Sequence, residues 1–201
     1  MIDLTLVVVG KDDADATSFP MPDCIEWCNQ TEGGTHILVF GNNYGTPLSV
    51  LANRELNRYE SEVFGLCHAD VVFGRGALEA LTAEAMRGSV CGIVGADLTG
   101  ALQCCYTAGR AAPSEVSTLD GMVVFFRKDL GLQFDEQTFD GFHCHVEDLC
   151  LQAHARGIPV TVPAADAHHR NHTQSQAWLA DYQMYRKRLA EKWKDTVFRT
   201  T

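Results

Sequence analysis

The sequence has no apolar run long enough to span a membrane and no basic cluster. Each absence argues against a class of protein. No stretch approaches the roughly 18 consecutive apolar residues of a membrane-spanning helix. Met1-Ile2-Asp3-Leu4 lacks the basic start of a secretory signal. The 201 residues include 26 acidic and 16 basic side chains, a formal charge of −10, whereas proteins that bind nucleic acid or anionic membranes usually carry a basic patch. We therefore expect a cytoplasmic protein with no nucleic-acid partner and no membrane span.

The sequence also has no Cys-x-x-Cys motif and no glycine-rich phosphate-binding loop at its first strand. The eight cysteines include no Cys-x-x-Cys pair, so a structural zinc protein is a weak alternative. Without a secretory signal, we expect the thiols to be reduced and mostly buried. The segment Val9-Gly10-Lys11-Asp12 lacks the glycines and the arginine with which a sugar nucleotidyltransferase would cradle phosphates.

Apolar runs alternate with helical patterns along the chain, which is 46% hydrophobic. This alternation predicts one α/β domain over residues 1–201, with a mostly parallel central sheet covered by helices on both faces. The predicted strands are Leu4–Val9, His36–Phe40, Val63–Phe73, Val90–Val94, Ser117–Arg127 and Ile158–Val162. The predicted helices are Leu48–Tyr59, Ala77–Met86, Val146–Arg156 and a C-terminal helix that carries Trp178 to Trp193 on one apolar face.

The stretch Val63–Phe73 is the most informative part of the sequence. One apolar run leads into His68-Ala69-Asp70 and a second leads out. Because residues two apart in a strand point to the same face, His68 and Asp70 can converge where a buried strand ends, and open α/β sheets bind ligands at that edge. A carboxylate beside an imidazole suits a divalent cation. The structural alternative is an Asp that caps the next helix beside a hydrogen-bonded His.

Two other polar groups could complete such a site. His168, His169 and His172 fall within five residues after the last predicted strand. Three histidines so close together favour a functional site, and a solvated loop is the alternative. Asn42 and Asn53 could hold a base, ribose or diphosphate, although turn residues are the commoner explanation.

Glu147 and Asp148 open a predicted helix close to His143 and His145. Acidic residues are ordinary at helix starts because they oppose the helix dipole. Helix capping alone does not account for two carboxylates beside two histidines. One of these carboxylates could serve as a general base.

Taken together, these residues resemble family 2-like glycosyltransferases of the GT-A fold. The resemblance is to a small bacterial branch that has His-x-Asp where other members have Asp-x-Asp, and it covers nearly the whole chain. The matching motifs, in chain order, are Cys67-His68-Ala69-Asp70-Val71, Leu119-Asp120-Gly121-Met122, Phe134-Asp135-Glu136, Gly141-Phe142-His143, Asp148-Leu149-Cys150-Leu151 and His168-His169.

This resemblance implies a three-layer α/β/α domain that transfers a sugar from a nucleotide-diphosphate donor with Mn²⁺ or Mg²⁺. It implies that Asp70 and His169, or its neighbour His168, bind the metal. It leaves open whether the acceptor is a glycan, a lipid or a protein, and whether the chain forms a homo-oligomer. Donor or cofactor contacts are implied for Gly10, Asn42, Asn53, His68, Asp70 and Asp120.

One departure from the family pattern concerns the catalytic base. Many inverting members carry Glu-Asp two to three positions before the Asp of Asp-Leu-Cys-Leu, and the Asp of that pair is the base. Here those positions are His145 and Val146. Glu147 and Asp148 follow directly, so either is a candidate base. A non-catalytic module that binds a nucleotide sugar is the alternative function.

Overall fold

The computed structural model describes residues 3–10, 36–41, 45–105, 113–169 and 176–201. The predictions that concern Asn42 and His172 fall outside these ranges. The described strands are β1 Leu4–Gly10, β2 His36–Gly41, β3 Val63–His68, β4 Val71–Phe73, β5 Val90–Cys91, β6 Val94–Ala96, β7 Leu102–Cys104, β8 Ser114–Glu115, β9 Thr118–Leu119, β10 Val123–Arg127, β11 Val160–Val162 and β12 Ala167–His169. The described helices are α1 Leu48–Arg58, α2 Ala77–Met86, α3 His145–Ala155 and α4 Gln176–Lys192, with a short 3-10 turn at Lys128–Leu130.

The main sheet has seven strands in the order β2-β1-β3-β10-β5-β11-β8. β1 runs parallel to β2 and to β3, and β5 runs parallel to β11. β10 joins these two parallel groups and is antiparallel to both of its neighbours. The predicted α/β class is therefore confirmed, with a mixed sheet. Every residue of β1 is buried, as expected for an apolar strand covered on both faces.

Three of the predicted strands are each divided into two strands, against the sequence-based prediction. Val63–Phe73 becomes β3 and β4, because the chain turns at Ala69-Asp70 and β4 pairs with β12. Val90–Val94 is divided between β5 and β6, which belong to different sheets. Ser117–Arg127 is divided into β9 and β10 by a turn in which Asp120 Oδ1 accepts a hydrogen bond from Met122 N at 3.1 Å. Hydrophobicity alone cannot reveal these breaks, because the strand partners decide them.

Gly65 lies in the middle of β3, between β1 and β10. A Cβ atom added at this residue would lie 2.9 Å from the Phe125 ring and 3.0 Å from the Leu6 side chain. Both distances are below or at the limit of ordinary carbon contacts. Because Gly65 has no side chain, Phe125 and Leu6 can pack directly against the backbone of the strand that carries His68.

Helix α4 packs onto α3 through a second apolar cluster. Its buried members are Phe139, Cys144, Leu151, Tyr185 and Leu189. At the end of α4, the Lys192 Nζ lies 2.7 Å from an Asp148 oxygen and 2.8 Å from an Asp135 oxygen. Apolar packing and these ion pairs together place α4 beside the start of α3. None of the described helices is both long and apolar enough to cross a bilayer.

Candidate metal and nucleotide site

The carboxyl ends of β1 and β3 and the turn before β10 meet at one edge of the main sheet. Val9 lies opposite His68 in the parallel register. Ala69 N donates to Val9 O at 3.0 Å, and His68 N donates to Met122 O at 2.9 Å. These backbone bonds place Gly10, the last residue of β1, at the same edge as the His68–Asp70 turn. Ligands of open α/β sheets bind at such an edge.

Strand β12 brings His169 to Asp70 from almost 100 residues away in the sequence. β12 is antiparallel to β4, and His169 lies opposite Val71, directly after Asp70. His169 Nε2 lies 2.7 Å from Asp70 Oδ2. One ligand atom from each of His68, Asp70 and His169 falls within 4.8 Å of the other two. His168 is exposed, as expected because successive strand residues point to opposite faces.

The Asp70 carboxylate controls the charge on His169. Asp70 is 9% exposed and His169 is half-buried. The hydrogen bond to Asp70 raises the pKa of His169 above its ordinary 6.5, the Asp120 charge adds to this effect, and burial opposes it. A proton on His169 and a cation bound by the same nitrogen exclude each other.

The chemistry of the three side chains fits a divalent transition metal. Two imidazoles and one carboxylate are the donor set of sites that bind first-row metals and leave other positions open to a ligand. Mg²⁺ prefers an octahedron of oxygen atoms. The cluster of His68, Asp70 and His169 therefore suits Mn²⁺ or a softer divalent ion better than Mg²⁺.

Asp120 forms the tip of the turn between β9 and β10. Its Oδ1 accepts from Met122 N at 3.1 Å, and its Oδ2 lies 3.4 Å from Thr201 Oγ1. Burial raises the pKa of this carboxyl above its ordinary value, whereas the hydrogen bonds and His169 lower it. Asp120 thus connects His169, a candidate metal ligand, electrostatically with residues that follow α4.

Glu147 and Asp148 lie in the first turn of α3 and are 3% and 0% exposed. Asp148 is held by three donors: Trp193 Nε1 at 2.7 Å, Lys192 Nζ at 2.7 Å and Gln152 Nε2 at 2.8 Å. Burial raises the pKa of Glu147 to about 8. Its Oε2 accepts no hydrogen bond within the described part of the chain. Asp148 is therefore tied to α4, and Glu147 is a buried neutral acid near neutral pH.

Asn53 on α1 is engaged by another part of the chain. Its side chain donates to Phe134 O and to Glu136 Oε1, both at 2.8 Å, and accepts from Phe134 N at 2.9 Å. These bonds use most of the capacity of one carboxamide. In this structure Asn53 anchors the segment around Phe134 to α1, and its predicted contact with the donor stays a prediction.

Sequence reasoning assigned no role to Phe142, Cys144 or His145, which lie just before α3 or at its first residue. The Phe142 ring lies 5.0 Å from the His68 ring, centroid to centroid. His145 is 1% exposed, burial lowers its pKa to about 3, and neither ring nitrogen has a hydrogen-bond partner among the described residues. Cys144, between His143 and His145, has a left-handed φ of 62°. The sequence signals for this group were the density of aromatic and imidazole residues from 142 to 145 and the Gly141-Phe142-His143 motif.

The chain matches a family model described as "Glycosyltransferase like family" over residues 73–193. No curated protein matches the chain in sequence. Among solved structures, GalNAc-T7 with UDP, GalNAc and Mn2+ is similar at a TM-score of 0.61 and 10% identity, over 97% of this chain and 49% of that one. TarS 1-349 of S. aureus in complex with UDP-GlcNAc is similar at a TM-score of 0.53 and 13% identity, over 94% of this chain and 67% of that one.

These two likenesses show the fold, which is the GT-A fold that the sequence resemblance implied. The chain spans about half the length of the GalNAc-T7 chain, 49%.

Proposed function

The chain belongs to the Glycosyltransferase like family, and on that premise we propose that it transfers a sugar from a nucleotide-diphosphate donor to an acceptor hydroxyl with the help of a divalent ion. The observation that carries this proposal is the convergence of His68, Asp70 and His169 within 4.8 Å at the carboxyl edge of the sheet. The similar structures contain UDP with Mn2+ and UDP-GlcNAc. UDP-sugars are therefore the first donors to test.

His68, Asp70 and His169 would hold the ion, which supplies a Lewis acid that neutralises the charge of the leaving diphosphate. The protein itself has a formal charge of −10, so diphosphate binding without a cation would face repulsion. Before an ion binds, Asp70 holds His169 through the 2.7 Å contact, and Phe142 packs against His68. We propose that Gly10 and Asp120, at the same edge, contact the donor.

The two carboxylates predicted as bases differ in what they can do. Asp148 accepts from Trp193, Lys192 and Gln152, an arrangement that supports a role in holding α4 in place. Glu147 Oε2 has no such partner among the residues that the structure describes, but its pKa of about 8 keeps it protonated at neutral pH. Glu147 could accept a proton only in the minority of molecules in which it is ionised, and both assignments stay predictions.

Calorimetric titration of UDP tests the site without requiring an acceptor. We expect binding in Mn²⁺ that weakens at least about tenfold in EDTA, because the ion screens the diphosphate from the acidic protein. Asp70→Asn should remove the Mn²⁺-dependent part, and Asp195→Asn, at an exposed residue, is the matched control. Equal affinity in EDTA and Mn²⁺ for the wild-type protein would contradict the proposal.

The alternative is a module that binds a nucleotide sugar without turning it over. Two observations favour it: a buried Val146 occupies the position at which many family members carry the base, and Asp148 is engaged by α4. Release of UDP from UDP-GlcNAc or UDP-GalNAc distinguishes the two functions. A module would bind the donor in Mn²⁺ and release no UDP.

A further inference from the structure

The residues after α4 run back along the turn that carries Asp120. Arg199 N donates to Ser117 Oγ at 3.0 Å, and Thr118 Oγ1 donates to Arg199 O at 2.6 Å. Tyr182 Oη donates to Thr201 O at 3.0 Å. Phe198 packs against the apolar cluster between α3 and α4. Residues 198–201 therefore occupy a groove between β9 and α4, which we call the β9–α4 groove.

The β9–α4 groove holds this segment mainly through its main chain. The three hydrogen bonds above involve the N–H or C=O groups of Arg199 and Thr201. Ser117 and Thr118, on the other side of the groove, are 4% and 0% exposed, and the hydroxyl of each makes one of these bonds to the main chain of Arg199. Recognition through the main chain is how proteins bind extended peptides of varied sequence.

One side-chain hydroxyl of this segment reaches the candidate site. Thr201 Oγ1 lies 3.4 Å from Asp120 Oδ2, and the Asp120 charge acts on the metal-binding residue His169. A separation of 3.4 Å is long for a hydroxyl–carboxylate hydrogen bond, but contacts between a base and an acceptor are often long before the donor binds. The segment thus presents an alcohol to a carboxylate beside the expected diphosphate position.

We propose that the β9–α4 groove is the acceptor site, that the acceptor is a hydroxyl side chain on an extended polypeptide segment, and that Thr201 of this chain is itself such an acceptor. This inference rests on the proposed sugar transfer. It goes further by naming the acceptor class, a modified residue and the carboxylate that contacts it.

The step balances with the residues present and the donor. The Thr201 oxygen forms a bond to the anomeric carbon of the donor sugar, and the bond between that carbon and the diphosphate oxygen breaks. The hydroxyl proton passes to the Asp120 carboxylate, and the nucleoside diphosphate leaves with the bonding electron pair. No oxidant, reductant or further reactant is needed.

Intact-mass spectrometry tests the proposal. The purified chain is incubated with Mn²⁺ and either UDP-GlcNAc or UDP-GalNAc, released UDP is assayed in the same tube, and modified peptides are sequenced. We expect a gain of one N-acetylhexosamine on Thr201. Thr201→Ser should keep the modification because it retains the alcohol, and Thr201→Ala should lose it. Thr196→Ala, which removes an exposed hydroxyl just before this segment, is the control.

Asp120→Asn should lower the rate of modification at saturating donor by about 100-fold or more, the usual contribution of a general base. Mn²⁺-dependent UDP binding, measured alongside, reports the separate contact of Asp120 with the donor. UDP release with an unchanged chain mass, or a sugar that survives Thr201→Ala, would overturn the acceptor assignment and leave the proposed transferase standing. An absence of UDP release with both donors, despite binding of UDP in Mn²⁺, would overturn both.

Discussion

Glu147 offers a direct test of the electrostatics beneath the candidate site. Its carboxyl is 3% exposed, and burial raises its pKa from 4.5 to about 8. The folded protein therefore holds a proton that the unfolded chain has released at intermediate pH, so stability must fall as pH rises between these two values. For this shift, the wild-type protein should lose about 3 kcal/mol of unfolding free energy between about pH 5 and about pH 7.5.

Glu147→Gln removes the titrating group and preserves its size. In urea unfolding, we expect the variant to gain about 3 kcal/mol relative to wild type between about pH 5 and about pH 7.5, or about 6 to 12 °C in melting temperature for a chain of this length. Glu191→Gln, at an exposed residue of α4, controls for the loss of a charge. Parallel pH profiles for wild type and Glu147→Gln would refute the reasoning.

Three further predictions follow from particular contacts. In calorimetry, Zn²⁺ or Mn²⁺ should bind more tightly than Mg²⁺, and an equal affinity for Mg²⁺ and Mn²⁺ would contradict the proposed ligands. Binding of the ion should weaken as pH falls through the raised pKa of His169, because the ion competes with a proton. Gly65→Ala should cost about 1 to 3 kcal/mol in chemical unfolding, because its Cβ would lie 2.9 Å from Phe125; an unchanged midpoint would show that the core yields. Lys192→Met should cost about 3 kcal/mol, because it removes the cation 2.7 Å from the buried Asp148; Lys194→Met, at an exposed residue, is its control, and equal stability of the two variants would count against the ion pair.

The sequence was sufficient to predict those strands and helices that a local pattern of residues specifies. The apolar run Leu4–Val9 predicted a strand of a mostly parallel sheet, and the structure has a buried strand there that runs parallel to β3. The Ala77–Met86 helix is confirmed with the same bounds, because good helix formers and an apolar face specify a helix without help from distant residues.

Tertiary structure alone decided the partners of the polar residues. His68 and Asp70 are close in the sequence, but only the antiparallel pairing of β12 with β4 selects His169 over its neighbour His168, because adjacent strand residues face opposite sides. The sequence placed Glu147 and Asp148 at a helix start without distinguishing them. The docking of α4 leaves one as a buried neutral acid and engages the other with Lys192. The contact between Thr201 and Asp120 joins residues that are 81 positions apart in the sequence. A local sequence pattern cannot predict a contact between residues so far apart.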